Sequence, residues 1–173
     1  MPDSISFRLL SRADFPQLLG WLQKPHVLEW WHESLDLAAI HAKYGPRVDG
    51  IEPTHVFIIE YQQQPIGWIQ WYRWADYPEH AKQLGAESNS AGIDLAIGER
   101  DKLGMGLGTK AMGSFLDEIV FSDPTVSAIV CDPEVRNARS SGAFRKAGFM
   151  ETKTVQLHGE TFLRHVVRLN RSS

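Results

Sequence analysis

The stretch Ile93-Asp-Leu-Ala-Ile-Gly-Glu-Arg-Asp-Lys-Leu-Gly-Met-Gly-Leu-Gly-Thr109 decides how this 173-residue chain is read. Ile93 to Ile97 is an apolar run that reads as a strand, and a short polar turn follows it. Gly104, Gly106 and Gly108 then stand at alternate positions. From Thr109 to Val120 the residues Ala111, Met112, Phe115, Leu116 and Ile119 recur at helical spacing. The first turn of a helix exposes N–H groups that lack intrahelical partners, and their partial positive charge suits a phosphate. Glycines let the backbone approach such a ligand closely, because no Cβ intervenes. The stretch reads as a pyrophosphate cradle.

Other readings of the same glycines compete with this one. A Walker-type loop needs Lys directly after its last glycine, whereas Thr109 separates Gly108 from Lys110. A dinucleotide fingerprint fits Gly106-x-Gly108-x-x-Ala111 loosely, with Asp132 closing the next apolar run, Val126 to Cys131. Against it, a polar stretch separates strand from glycines where that fingerprint wants a tight turn, and few residues follow for the rest of such a domain. A flexible turn with no ligand is the remaining alternative.

Working outward, the length suits one domain, residues 1–173, with a full core. A composition 43% hydrophobic and 23% charged is that of a globular protein. The formal charge of −3 comes without a basic tract, which argues against nucleic acid as a partner, since that mode needs clustered Lys and Arg. Cys131 is the single cysteine, so no internal disulfide is expected, and no His/Cys spacing suggests a metal. No apolar run approaches membrane-spanning length, and the N-terminus lacks a signal-peptide pattern, so the expected location is the cytoplasm, away from membranes. Composition does not choose between monomer and homodimer.

In chain order, Ile5 to Leu10 reads as a strand, and Ser11 to Asp14 offers caps for a helix over Phe15, Leu18, Leu19 and Leu22 that Pro25 ends. Leu35 to Tyr44 is a second helical segment, stopping before Gly45-Pro46. His55–Tyr61 and Ile66–Trp74 form a hairpin turning at Gln62–Gln64. Residues 75–92 read as a loop with a short helix near 78–84. Asn137 to Lys146 is a helix with Ala138, Ala143 and Phe144 inward and Gly148 closing it, and Val155–Leu157 with Phe162–Leu169 makes a terminal hairpin. This order predicts a mixed α/β sheet. Between Asp76 and Asp101, six acids face two bases, which reads either as a solvated surface or as a field that attracts a polycation.

Leu103-Gly-Met-Gly-Leu-Gly108 resembles the acyl-CoA loop of the GNAT N-acetyltransferases, Gln/Arg-x-x-Gly-x-Gly, with Leu103 at the Gln/Arg position. Further segments resemble the aminoglycoside 6'-N-acetyltransferases of that superfamily, in the same order and at similar spacing. They are Pro25-His-Val-Leu-Glu-Trp-Trp31, Gln64-Pro-Ile-Gly-Trp68, Gly92-Ile-Asp94, Gly106-Leu-Gly-Thr-Lys110, Phe121-Ser-Asp-Pro-Thr-Val126, Asp132-Pro133 and Lys146-Ala-Gly-Phe149. The resemblance implies the GNAT fold, in which a splay between the Asp94 strand and the Val126–Cys131 strand admits the pantetheine arm. It implies acetyl-CoA as cofactor and a small polycationic amine as substrate. Siderophore hydroxylamines, polyamines and peptide amines are the alternative acceptors. A non-catalytic acetyl-CoA-binding module is the alternative outside enzymes.

Residue by residue, the resemblance assigns Asp94 as general base and Asp132 as a second acceptor-binding carboxylate. Tyr44 and Tyr72 fall at acceptor-pocket positions, and of the pair Trp30-Trp31 one ring is given to the core and Trp31 to the wall of the acceptor pocket an acetyltransferase needs. Without the resemblance, Tyr44 reads as a packing residue at a helix end, Asp132 as a turn residue and Trp31 as core. Leu95 and Ile97 fall beside the pantetheine, and Leu103, Gly104, Met105, Gly106, Leu107, Gly108 and Thr109 at the pyrophosphate. Asn137 and Lys146 are further cofactor contacts. Two departures stand out. The related enzymes carry a Trp-Trp-acidic segment near residues 75–92 that this chain lacks, and Phe144 stands where they place a proton-donating tyrosine.

Overall fold

A computed structural model describes residues 4–33 and 36–172. Its strands are β1 (Ile5–Leu9), β2 (Thr54–Tyr61), β3 (Gln64–Arg73), β4 (Ser90–Ile97), β5 (Ala128–Cys131), β6 (Met150–Val155) and β7 (Arg164–Asn170). Its helices are α1 (Phe15–Leu22), α2 (Pro25–Leu28), α3 (Leu37–Val48), α4 (Pro78–Leu84), α5 (Leu107–Phe115) and α6 (Ala138–Lys146). The strands follow the order β1-β2-β3-β4-β5-β7-β6 in one mixed sheet. Two compact units divide the chain. Unit 1 holds the chain up to Gln70 with Leu95–Ala111, and unit 2 holds Trp71–Asp94 with the chain from Met112 onward. Strands β3 and β4 and helix α5 each begin in one unit and end in the other.

In unit 1, β1 runs antiparallel to β2 from Ile5↔Tyr61 to Leu9↔Phe57. A two-residue turn leads into β3, with Gln62 and Gln63 at φ 51° and 68°. Both positive values belong to the turn whose twist matches its flanking strands. The turn is therefore tighter than the Gln62–Gln64 expectation, and Gln64 already belongs to β3. The core gathers Phe15, Leu18, Trp21 and Leu22 from α1, Ile40 and Tyr44 from α3, and Trp68 from β3. Trp21 and Trp68 stack with centroids 5.9 Å apart.

Two further expectations for this unit change. Pro25 opens α2 rather than merely ending α1, because a proline at the first helical position loses no hydrogen bond. Helix α3 continues through Gly45-Pro46 to Val48; Leu35, the expected start, lies outside the described residues. Asp36 caps it by accepting the Ala39 N–H at 2.7 Å. Gly45 has no Cβ to clash with the proline ring that follows. Arg47 ties the last turn down through Glu52 at 3.1 Å and Gln70 at 2.9 Å. Tertiary anchoring outweighs the local break.

In unit 2, β5 pairs antiparallel with β7 along its whole length, from Ala128↔Asn170 to Cys131↔Val167. Its parallel pairing with β4 stops at Ala91↔Ile129, although β4 runs on to Ile97 and β5 to Cys131. The two strands therefore separate toward their C-terminal ends. Trp74, Leu84, Val130 and Leu157 build the core beside them. Helix α5 is followed by a wider turn at Leu116–Val120, in which the Phe121 N–H reaches the Leu116 carbonyl at 2.8 Å.

The last hairpin also differs from expectation. Its first strand is Met150–Val155, where Val155–Leu157 was expected. This edge strand is solvent-exposed over most of its length, so no apolar alternation marks it. In α6, Phe144 points inward at 4% exposure as expected, whereas Ala138 in the first turn faces solvent.

Candidate functional site

In unit 2 the pairing of β4 and β5 ends before Asp94 on one strand and before Asp132, just past the end of the other. Tyr72 near the end of β3 crosses β4 at Gly92. A Cβ on Gly92 would lie 2.6 Å from the Tyr72 ring and 2.7 Å from its hydroxyl oxygen. Only glycine lets the ring lie there. The Tyr72 hydroxyl donates a hydrogen bond to the Asp94 carboxylate, two residues beyond Gly92. Burial first, and then the Asp94 charge, push the Tyr72 phenol well above its ordinary 10.0. The phenol therefore stays protonated and remains a donor.

Asp132 stands just past the end of β5, its side chain 12% exposed. His80 of α4 places Nε2 3.1 Å from its Oδ2. Arg164 of β7 donates to the Asp132 backbone carbonyl at 2.9 Å, and its Nε is bound by Glu160 at 2.6 Å. A file of rings connects the carboxylates: Tyr72 meets Trp74 edge-on at 5.1 Å, and Trp74 meets His80 at 5.0 Å. Trp74 is anchored by its Nε1 donating to the Val130 carbonyl at 3.0 Å. The hydrogen bond to Asp132 raises the His80 imidazole above its ordinary 6.5, burial opposing it. With His80 42% exposed, the pair contributes under about 1 kcal/mol to stability. Its significance lies in what it does to Asp132.

Unit 1 carries the glycine turn. Gly104 and Gly106 take φ +76° and +74°, which L side chains rarely adopt. Among the described residues no atom lies within 4 Å of where a Cβ on either would stand, so both face open space. Leu107 is 5% exposed and plants the start of α5 in the core, while Met105 stands out at 53%. The Lys110 N–H bonds back to the Gly106 carbonyl at 3.1 Å. The N–H groups of Leu107, Gly108 and Thr109 precede that first helical bond and point out of the helix end.

The sequence and the fold have counterparts among known proteins. Residues 11–157 match the acetyltransferase (GNAT) domain family. The chain belongs to the GNAT acetyltransferases. It is 32% identical over 156 residues to the aminoglycoside N(6')-acetyltransferase type 1 of Klebsiella pneumoniae, covering 88% of this chain and 77% of that protein. The crystal structure of the aminoglycoside acetyltransferase AAC(6')-Ib with coenzyme A superimposes with a TM-score of 0.81 at 30% identity, covering 97% of this chain and 95% of the other. Its complex with coenzyme A and kanamycin gives 0.80 at the same identity and coverage.

For an acetyltransferase, the turn fits a coenzyme A pyrophosphate: its glycines leave open space and its first-turn N–H groups are unused by the helix. Leu95 and Ile97, which continue β4 in unit 1, are half-buried. The Ile97 carbonyl is taken by His26, whose Nε2 donates to it at 2.9 Å. Leu103 is half-buried before the turn; at the family's Gln/Arg position it offers no polar side-chain contact and leaves the backbone cradle intact.

The remaining expected residues fall in several places. Trp31 packs edge-on against Trp68 at 5.0 Å on the margin of the unit 1 core. Tyr44 is fully buried, and its hydroxyl donates to Glu33 at 3.1 Å, so its ring meets protein on all sides. Asn137 caps α6 by accepting the Ser140 N–H at 3.1 Å. Lys146 is exposed at the C-terminal end of α6. Phe144 packs edge-on against Phe149 at 5.0 Å. His80 is the residue that sequence reasoning missed: it lies in a stretch without periodicity, and no spacing links it to Asp132.

Proposed function

We propose that this protein is an acetyl-CoA-dependent N-acetyltransferase that modifies the 6'-amine of aminoglycosides. The observation that carries the reading is the opening between β4 and β5, with Asp94 on one strand and Asp132 at the end of the other, in a chain so similar to aminoglycoside acetyltransferases. The family match spans both units, which supports reading them as one catalytic domain. Among the described residues no helix is long and apolar enough to cross a membrane.

Acetyl-CoA supplies the acetyl group as a thioester. An acceptor ammonium, with a pKa of about 10.4 if it resembles lysine, must lose a proton before its nitrogen attacks. Asp94 attracts the ammonium and accepts that proton, directly or through water. Tyr72, held protonated, donates to Asp94 and fixes the direction of its carboxylate. Asp132 binds a second ammonium of the same polyamine sugar and sets its orientation. Phe144 has no proton to donate, and an alkyl thiol with a pKa of about 8.5 can depart as thiolate or take a proton from water.

The test is thiol release from acetyl-CoA by the purified protein with kanamycin, tobramycin, spermidine and a lysine-bearing peptide. Rapid release with an aminoglycoside, lost in Asp94→Asn, is the expected result. Acetyl-CoA binding with no release for any aminoglycoside would overturn the reading and favour the non-catalytic module.

A further inference from the structure

We infer that His80 is a positioning residue for the acceptor site: it holds the Asp132 carboxylate in place and, when protonated, competes with the acceptor's ammonium for it. This rests on the acceptor role given to Asp132 above. The imidazole is not buried away from the site. It lies on the ring file that begins at Tyr72, and its Nε2 is 3.1 Å from Asp132 Oδ2. Protonated, it is a counter-ion already in hydrogen-bonding contact with the group an incoming amine must reach.

The charged groups facing His80 are Asp132 after β5, Asp94 on β4 and Arg164 on β7. Asp132 and Asp94 favour the protonated ring, and Arg164 opposes it. Arg164 gives its hydrogen bonds to Glu160 and to the Asp132 backbone carbonyl, so its charge acts on the Asp132 carboxylate without bonding to it, whereas His80 hydrogen-bonds the carboxylate itself. Tyr72 stays neutral across the working range, as does the buried Cys131 thiol, whose burial raises its pKa well above 9.0. His80 is thus the group of this cluster that changes charge near neutrality.

A ring with a pKa above 6.5 is neutral in fewer than about one protein in four at pH 6, and apparent affinity scales with the competent fraction. The KM for the aminoglycoside should rise about fourfold or more between pH 8 and pH 6. The kcat should change far less, because proton transfer belongs to Asp94. His80→Gln keeps a neutral N–H donor toward Asp132 and removes the titration, so its KM should stay level across the same range.

The experiment measures KM and kcat for kanamycin from pH 6 to pH 8 in wild type and His80→Gln, with NMR titration of the His80 ring in the coenzyme A complex, with and without kanamycin. Linkage requires kanamycin to lower the His80 pKa if protonation opposes binding. A KM that rises toward pH 6 in wild type alone, with a lowered His80 pKa, supports the inference. Parallel KM profiles in an active enzyme, or an unmoved His80 titration, overturn it and leave the proposed function standing. No aminoglycoside turnover in either protein at any pH removes both.

Discussion

The ring of Tyr72 occupies the space that a side chain on Gly92 would fill, 2.6 Å from the position of its missing Cβ. The contact brings the Tyr72 hydroxyl to Asp94 and fixes the geometry of the candidate base.

Gly92→Ala should therefore act on the site as well as on stability. Forcing the Tyr72 ring aside costs about 1–3 kcal/mol, as overpacking of a filled site generally does. Denaturant unfolding should show that loss. Steady-state kinetics should show a lower kcat/KM for the acceptor with the KM for acetyl-CoA little changed.

Asp94→Asn keeps the shape and the hydrogen bond to Tyr72 but removes the proton acceptor. Turnover should fall on the order of 10²- to 10⁴-fold, the usual contribution of a general base. Coenzyme A affinity, measured by calorimetry, should be unchanged. A drop in acetyl-CoA affinity matching the loss of turnover would contradict the assigned role.

The glycine turn should respond in the opposite sense. Gly104→Ala and Gly106→Ala place an L side chain at φ near +75°, costing roughly 1–2 kcal/mol each. Each Cβ also enters the open space assigned to pyrophosphate. The KM for acetyl-CoA should rise while the KM for the aminoglycoside moves little.

Phe144→Tyr adds a proton donor at the position where related enzymes carry one. The expected outcome is a higher kcat, measured by thiol release under saturating substrates. An unchanged or lower kcat would show that the thiolate leaves without help from this position.

Acid stability should depend on Asp14, which is 8% exposed. Burial raises its pKa, but two hydrogen bonds from Arg8, at 2.8 and 2.9 Å, and one from the Ser11 N–H outweigh it and hold the carboxyl below 3.8. A lowered folded pKa means stability present above the unfolded value and lost as pH falls through the folded one. Asp14→Asn should cost roughly 1 kcal/mol at pH 7, a modest figure because Arg8 is 40% exposed. Unfolding midpoints of the two proteins should converge as the pH falls below about 3.8.

Much of this protein is legible in its sequence because the deciding signals are local. The Ile93–Ile97 run, the glycines at 104 and 106 and the helical spacing after Thr109 report strand, turn and helix without any distant partner. Asn137 and Gly148 mark the ends of α6 for the same reason: capping and left-handed backbone are properties of one residue and its neighbours. Signals weaken where partners are remote. Pro46 reads as a helix end, yet Glu52 and Gln70 hold its turn in the helix. Met150–Val155 is hidden because an edge strand needs no buried face.

The candidate site divides along the same line. Glycine, aspartate and the order of motifs pointed to the glycine turn and the two carboxylates as candidates, since backbone freedom and charge are written in residue type. Only the tertiary structure decided that Tyr72 lies over Gly92 and donates to Asp94, that Tyr44 spends its hydroxyl on Glu33, and that His80 sits on Asp132. Each is a contact between elements whose separation along the chain carries no periodic signal. Such contacts arise only when packing brings the elements together.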